Sequence, residues 1–103
     1  MSGGADSLVD VSDLEPGAMR AIDHAGTSVL VCNVDGEIYA VENVCSHAAV
    51  PLSDGVLIGC ELECVLHGAV FDVRTGEAVA LPARRSIRSF RVERCGDRVR
   101  IEL

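Results

Sequence analysis

Cys45-Ser46-His47 and, sixteen residues further on, Cys64-Val65-Leu66-His67 decide how this chain is read. Each segment places a thiol and an imidazole one or two residues apart. Cys and His are the commonest soft and borderline metal ligands, so two such pairs in one short chain point to a metal centre. The residues alone leave two candidates open. A structural Cys2His2 zinc site is the first, because zinc favours tetrahedral Cys/His sets. Common zinc sites, however, separate paired ligands by about two to four residues, which curl both onto one ion. In an extended Cys-x-His the two Cα atoms lie roughly 6.6 Å apart, a spacing easier to reconcile with two metal ions side by side.

The rest of the chain reads as a β scaffold for these two loops. Leu8 to Val11 suits a short strand, Leu14-Glu15-Pro16-Gly17 a turn, and Ala18 to Ile22 a second strand. His24 falls in the turn that follows and is read as a surface residue. Ser28 to Val34 and Glu37 to Val41 flank Asp35-Gly36, the strongest hairpin signal in the sequence. Val56-Leu57-Ile58 and Glu61-Leu62-Glu63 read as short strands around Gly59-Cys60. Ala69 to Val73 is another strand, Arg74-Thr75-Gly76-Glu77 its turn, and Leu81-Pro82-Ala83 a rigid apolar loop. Ile87 to Val92 and Arg98 to Glu102 form a last hairpin around Cys95-Gly96-Asp97. No segment has helical periodicity, so the expected class is all-β, a sandwich or barrel.

Composition narrows the function. With 103 residues the chain is expected to form one domain, 1–103, with residues 1–6 frayed. Hydrophobic content of 49% makes it globular, and with aromatics at 3% and no Trp the core must be built from Val, Leu, Ile and Ala. No apolar run approaches the length of a membrane span, and no basic, apolar leader opens the chain, which is read as cytoplasmic. The net charge is −7, unevenly spread. Residues 1–63 carry −10, and residues 64–103, with eight Arg, carry +3. An acidic chain with no Lys is a poor nucleic-acid binder; its charge suits solubility or steering toward a basic protein surface. Cys32, in an apolar run, is read as a buried core thiol. Together with Cys60 and Cys95 it leaves an odd number of cysteines outside the two pairs, which argues against a disulfide framework. One His outside the pairs is too few for a mononuclear iron site of two His and a carboxylate.

The two Cys-His pairs resemble the motif of Rieske 2Fe-2S proteins, Cys-x-His followed by about sixteen residues and Cys-x-x-His. Pro51-Leu52-Ser53-Asp54-Gly55, Gly68, Phe71-Asp72-Val73-Arg74-Thr75-Gly76 and Leu81-Pro82-Ala83 extend the likeness over nearly the whole chain. The resemblance implies an antiparallel β-sandwich base with a small cluster-binding subdomain at about 43–84. It implies one 2Fe-2S cluster, with Cys45 and Cys64 on one iron and His47 and His67 on the other. Two ferric ions, two sulfides, two thiolates and two neutral imidazoles sum to zero charge, which eases addition of an electron relative to a four-thiolate dianion.

Within that family the chain resembles the small soluble ferredoxins of multicomponent, ring-hydroxylating dioxygenases. The positions that match a loop disulfide in high-potential Rieske proteins are Val50 and Leu66. Those that match hydroxyl donors to cluster sulfur are Ala69 and Phe71. Val65 departs from the Pro frequent in oxygenase ferredoxins. The implied role is non-catalytic: a monomeric one-electron carrier between an FAD- and NADH-dependent ferredoxin reductase and a terminal oxygenase, with no nucleic acid or membrane partner. Apolar Ala48, Ala49, Val50, Val65, Leu66 and Pro82 are expected around the imidazole tips. A ferredoxin for another pathway such as iron-sulfur assembly, a Rieske subunit of a reductase, and a zinc-bound interaction module are the alternatives.

Overall fold

The run Val29-Leu30-Val31-Cys32 is apolar at every position, and the fold supplies a core for both of its faces. The computed structural model describes residues 8–24, 26–45, 50–65, 68–80 and 85–102. Ten strands run through them in chain order: β1 (Leu8–Asp10), β2 (Met19–His24), β3 (Thr27–Val34), β4 (Glu37–Glu42), β5 (Val56–Ile58), β6 (Glu61–Glu63), β7 (Val70–Asp72), β8 (Glu77–Ala80), β9 (Ser89–Cys95) and β10 (Arg98–Glu102). A single 3-10 turn covers Leu52–Asp54, and the described residues contain no α-helix. Six strands form one antiparallel sheet in the order β1-β10-β9-β4-β3-β2, and four form another in the order β5-β6-β7-β8.

Side chains alternate across a strand, and on β3 and β4 that alternation divides two cores. Leu30, Cys32 and Val41 pack with Leu52, Leu62, Phe71 and Val73, under the small sheet. Val29, Val31, Ile38 and Ala40 pack with Phe90, Val99 and Ile101, under β9 and β10. The β3-β4 hairpin is therefore a middle layer. The β1-β10-β9 half pairs with it through Ala40↔Phe90 and Val41↔Ser89 and folds over one face, while the small sheet covers the other. This is the all-β sandwich expected from the sequence, with Cys45 following β4 and Cys64 following β6.

Local chemistry fixes the register. Asp35 and Gly36 both take positive φ, 53° and 95°, the geometry of the tight hairpin turn that matches strand twist. The buried Asn33 ties this hairpin to the first turn. Its side-chain amide donates to the Leu14 carbonyl at 2.7 Å, and its Oδ1 accepts from the Gly36 N–H at 2.7 Å.

Two expectations are corrected. His24 is not a surface turn residue: β2 runs two residues past Ile22, pairs His24 with Thr27, and buries the imidazole. Its Nε2 has no hydrogen-bond partner among the described residues. Glu77 is not in the turn but opens β8, a strand the sequence reading lacked. The apolar loop expected at Leu81-Pro82-Ala83 lies outside the described residues.

Candidate metal centre

Cys45 and Cys64 both fall in the core between the small sheet and the β3-β4 layer. They are almost fully buried, at 3% and 2% exposure, and share that core with Leu52, Leu62, Ala69 and Phe71. The backbone treats the two positions alike. The Cys45 N–H donates to the Val50 carbonyl at 3.0 Å, and the Cys64 N–H donates to the Ala69 carbonyl at 2.7 Å. Each bond spans five residues and closes the loop that follows its cysteine. His47 and His67, with Ser46, Ala48, Ala49, Leu66 and Pro82, lie outside the described residues. Of the apolar positions expected around the imidazoles, Val65 is exposed at 58% and Val50 is half-buried against the core.

The first loop is braced by a residue that sequence reasoning passed over. Asn43, just after β4, accepts from the Ser53 N–H through Oδ1 at 2.9 Å. Its amide nitrogen donates to the Ser28 hydroxyl at 3.1 Å and reaches the Ser53 hydroxyl at 3.4 Å. The entry to the Cys45 loop is thus fixed to the 3-10 turn that follows it. The available signal was the type of residue, since an Asn at a strand end readily bonds nearby backbone groups. Gly55 completes the turn: a Cβ there would run into the Glu63 carbonyl oxygen, so only glycine lets this turn approach β6 just before Cys64. At the other end of β7, opposite Glu61, Asp72 takes a two-pronged contact from Arg74, with Nε to Oδ1 at 3.0 Å and a terminal nitrogen to Oδ2 at 2.8 Å. That contact holds the Asp72 carboxyl below the usual carboxylate range.

The remaining thiols are differently placed. Cys32 is wholly buried, and burial pushes its pKa up to about 12, which keeps it an inert thiol. Cys60 is half-buried at the β5-β6 turn and Cys95 is exposed at the end of β9. No group of three or more metal-ligating side chains occurs among the described residues. Two buried cysteines in a dry apolar core, at the mouths of equivalently closed loops, suit a thiolate-bound cluster. Soft sulfur ligands select such centres, and an apolar shell with few donors governs their potential.

Comparison with known proteins agrees. The Rieske [2Fe-2S] domain family model matches residues 6–91, and the chain belongs to that family. Its cofactor is a Rieske-type 2Fe-2S cluster. Within the family, the chain is 47% identical over 91 residues to the ferredoxin component of biphenyl 2,3-dioxygenase from Rhodococcus jostii (strain RHA1), covering 88% of this chain and 85% of that one. Among solved structures, the ferredoxin of carbazole 1,9a-dioxygenase from Nocardioides aromaticivorans IC177 superposes with a TM-score of 0.88 at 36% identity, covering 92% and 93% of the two chains. A ferredoxin solved in complex with the reduced oxygenase of carbazole 1,9a-dioxygenase superposes with a TM-score of 0.85 at 31% identity, covering 92% of each chain. The function class is therefore electron transfer by a ferredoxin-type component rather than catalysis. No helix among the described residues is long and apolar enough to cross a membrane.

Proposed function

We propose that this chain is a monomeric, cytoplasmic, single-domain ferredoxin that takes single electrons from a flavin-dependent NAD(P)H reductase and passes them to a terminal oxygenase. Cys45 and Cys64 supply the thiolates to one iron, and His47 and His67 the imidazoles to the other. The observation that carries the ligand assignment is the equivalence of Cys45 and Cys64: each is buried in one core and each starts a loop closed from its own N–H to the carbonyl five residues on. The bound cluster supplies reversible one-electron chemistry. The protein's residues contribute the rest. Leu52, Leu62, Ala69 and Phe71 exclude water from the cysteine side. Asn43 and Gly55 hold the chain on either side of the first loop and before the second, so that little rearrangement accompanies a change of charge. The acceptor class is supported by the relatives, which are named as ferredoxin components of dioxygenases.

Metal and sulfide analysis tests this reading. The purified protein is expected to hold iron and acid-labile sulfide in equal amounts, and Cys45→Ser or His67→Ala is expected to lose or rearrange the cluster spectrum. Cys60→Ser is expected to keep it. Zinc without labile sulfide, or loss of the cluster in the Cys60 variant alone, contradicts the assignment.

A further inference from the structure

Five large apolar side chains stay exposed among the described residues, and three of them, Val56, Ile58 and Val65, lie on β5 and just after β6, while Val79 sits on β8 at the opposite edge of the small sheet. Val56 and Ile58 flank the inward-facing Leu57 on β5, an edge strand of the small sheet. Directly across from them on β6 stand Glu63 and Glu61, both exposed. The outer face of the β5-β6 hairpin is therefore an apolar edge backed by carboxylates. Glu61 and Glu63 form no ion pair among the described residues, whereas Asp72 beyond them is matched by Arg74. The face runs into the second ligand loop. A Glu63 carboxylate oxygen lies 3.4 Å from where a Cβ on Gly68 would sit, and the exposed Val65 follows Cys64. On the far side of the molecule the outer face of β9 and β10 carries Arg91, Arg98 and Arg100 among its acidic residues.

We propose that the outer face of the β5-β6 hairpin is a docking surface continuous with the electron-exit end, fitted to an acceptor protein that presents an apolar contact ringed by Arg or Lys. The proposal rests on the carrier reading above. A purely solvated face does not require three of the five exposed large apolar side chains to fall on one strand edge and the adjoining loop. A second copy of this chain is disfavoured, because a two-fold contact centred on this patch sets Glu61 and Glu63 near their own counterparts. An anionic lipid surface is repelled for the same reason. A small apolar contact with complementary charge is the pattern of transient redox encounters.

The test uses the cluster-loaded, reduced protein and, as acceptor, the terminal oxygenase of the Rhodococcus jostii RHA1 biphenyl 2,3-dioxygenase. In each encounter the ferredoxin loses one electron and the oxygenase gains one; stopped-flow absorbance follows the transfer at several ionic strengths. The Glu61→Lys, Glu63→Lys pair is expected to lower the second-order rate by about tenfold and flatten its salt dependence. Val56→Ser with Ile58→Ser is expected to slow transfer with the salt dependence kept. Asp97→Lys with Glu102→Lys makes the same change in net charge away from the face and is expected to stay within about twofold of wild type. Glu61→Lys alone, further from Cys64, serves as the check that any loss is not damage to the ligand loop, and every variant must keep the wild-type cluster spectrum and potential. Equal slowing by the two charge pairs, or none by either, overturns the surface while leaving the carrier reading intact. Wild-type protein with an intact cluster that does not reduce the oxygenase overturns the acceptor reading, and the surface with it.

Discussion

Gly76 and Gly26 have nearly the same backbone conformation, φ +83° and +84°, yet they carry different burdens. A Cβ on Gly26 meets nothing within 4 Å, while a Cβ on Gly76 collides with the Ile87 carbonyl oxygen, whose own N–H donates to the Gly76 carbonyl at 2.9 Å. Gly26→Ala pays only for the left-handed conformation, about 1 kcal/mol. Gly76→Ala pays that and displaces the chain entering β9, about 3 kcal/mol in all. Thermal unfolding of the two variants is expected to show the larger loss at Gly76, and equal losses would contradict the account. The same reasoning explains why Asp54-Gly55 and Thr75-Gly76 carried the family likeness: both glycines sit where two backbones nearly touch. The sequence marked them as turn residues without revealing that contact, because the partners, Glu63 and Ile87, are brought in only by the fold. His24 was misread for a related reason. The β2–β3 ladder continues past Ile22 through Asp23↔Ser28 and His24↔Thr27, and only the register shows that His24 faces inward.

At the scale of elements, β3 and its hairpin were legible because turn chemistry and β-branched composition agree there. β8 was not, since Glu77-Ala78-Val79-Ala80 has little strand propensity of its own and is held by pairing with β7 through a register irregularity between Val70 and Phe71. The two-sided burial of β3 has a measurable consequence. Leu30 packs in the core that holds Cys45 and Cys64, and Val31 in the other. Leu30→Ala is expected to cost about 2–5 kcal/mol and to lower cluster retention during purification. Val31→Ala is expected to lower the melting temperature with iron per chain unchanged. Cluster loss from Val31→Ala at equal destabilisation would show that the two cores are not separate in effect.

For the whole molecule, the two Cys-His pairs stand out by residue type and spacing, and Cys45 and Cys64 are buried in one core. The imidazole surroundings were not legible beyond a list of apolar neighbours, because they depend on how two loops far apart in sequence meet. The potential draws on all layers. Reduction places negative charge on cluster sulfur, so a hydroxyl aimed there favours the reduced state. Ala69 and Phe71 are wholly buried and have no hydroxyl, so the potential is expected near the low end of the Rieske range, about −150 mV. Ala69→Ser with Phe71→Tyr is expected to raise it. If each new bond favours reduction by about 1.4 kcal/mol, the gain is roughly 60 mV per bond for one electron, readable by protein-film voltammetry. A wild-type potential well above zero contradicts this tuning. The central claim, that two thiolates and two imidazoles from Cys45, Cys64, His47 and His67 hold one cluster, is tested most directly by pulsed EPR of the dithionite-reduced protein. The account predicts a rhombic signal with average g below the free-electron value and strong coupling to two nitrogens, lost or changed in His47→Ala and His67→Ala. A signal with no coupled nitrogen, or one untouched by either substitution, would contradict it.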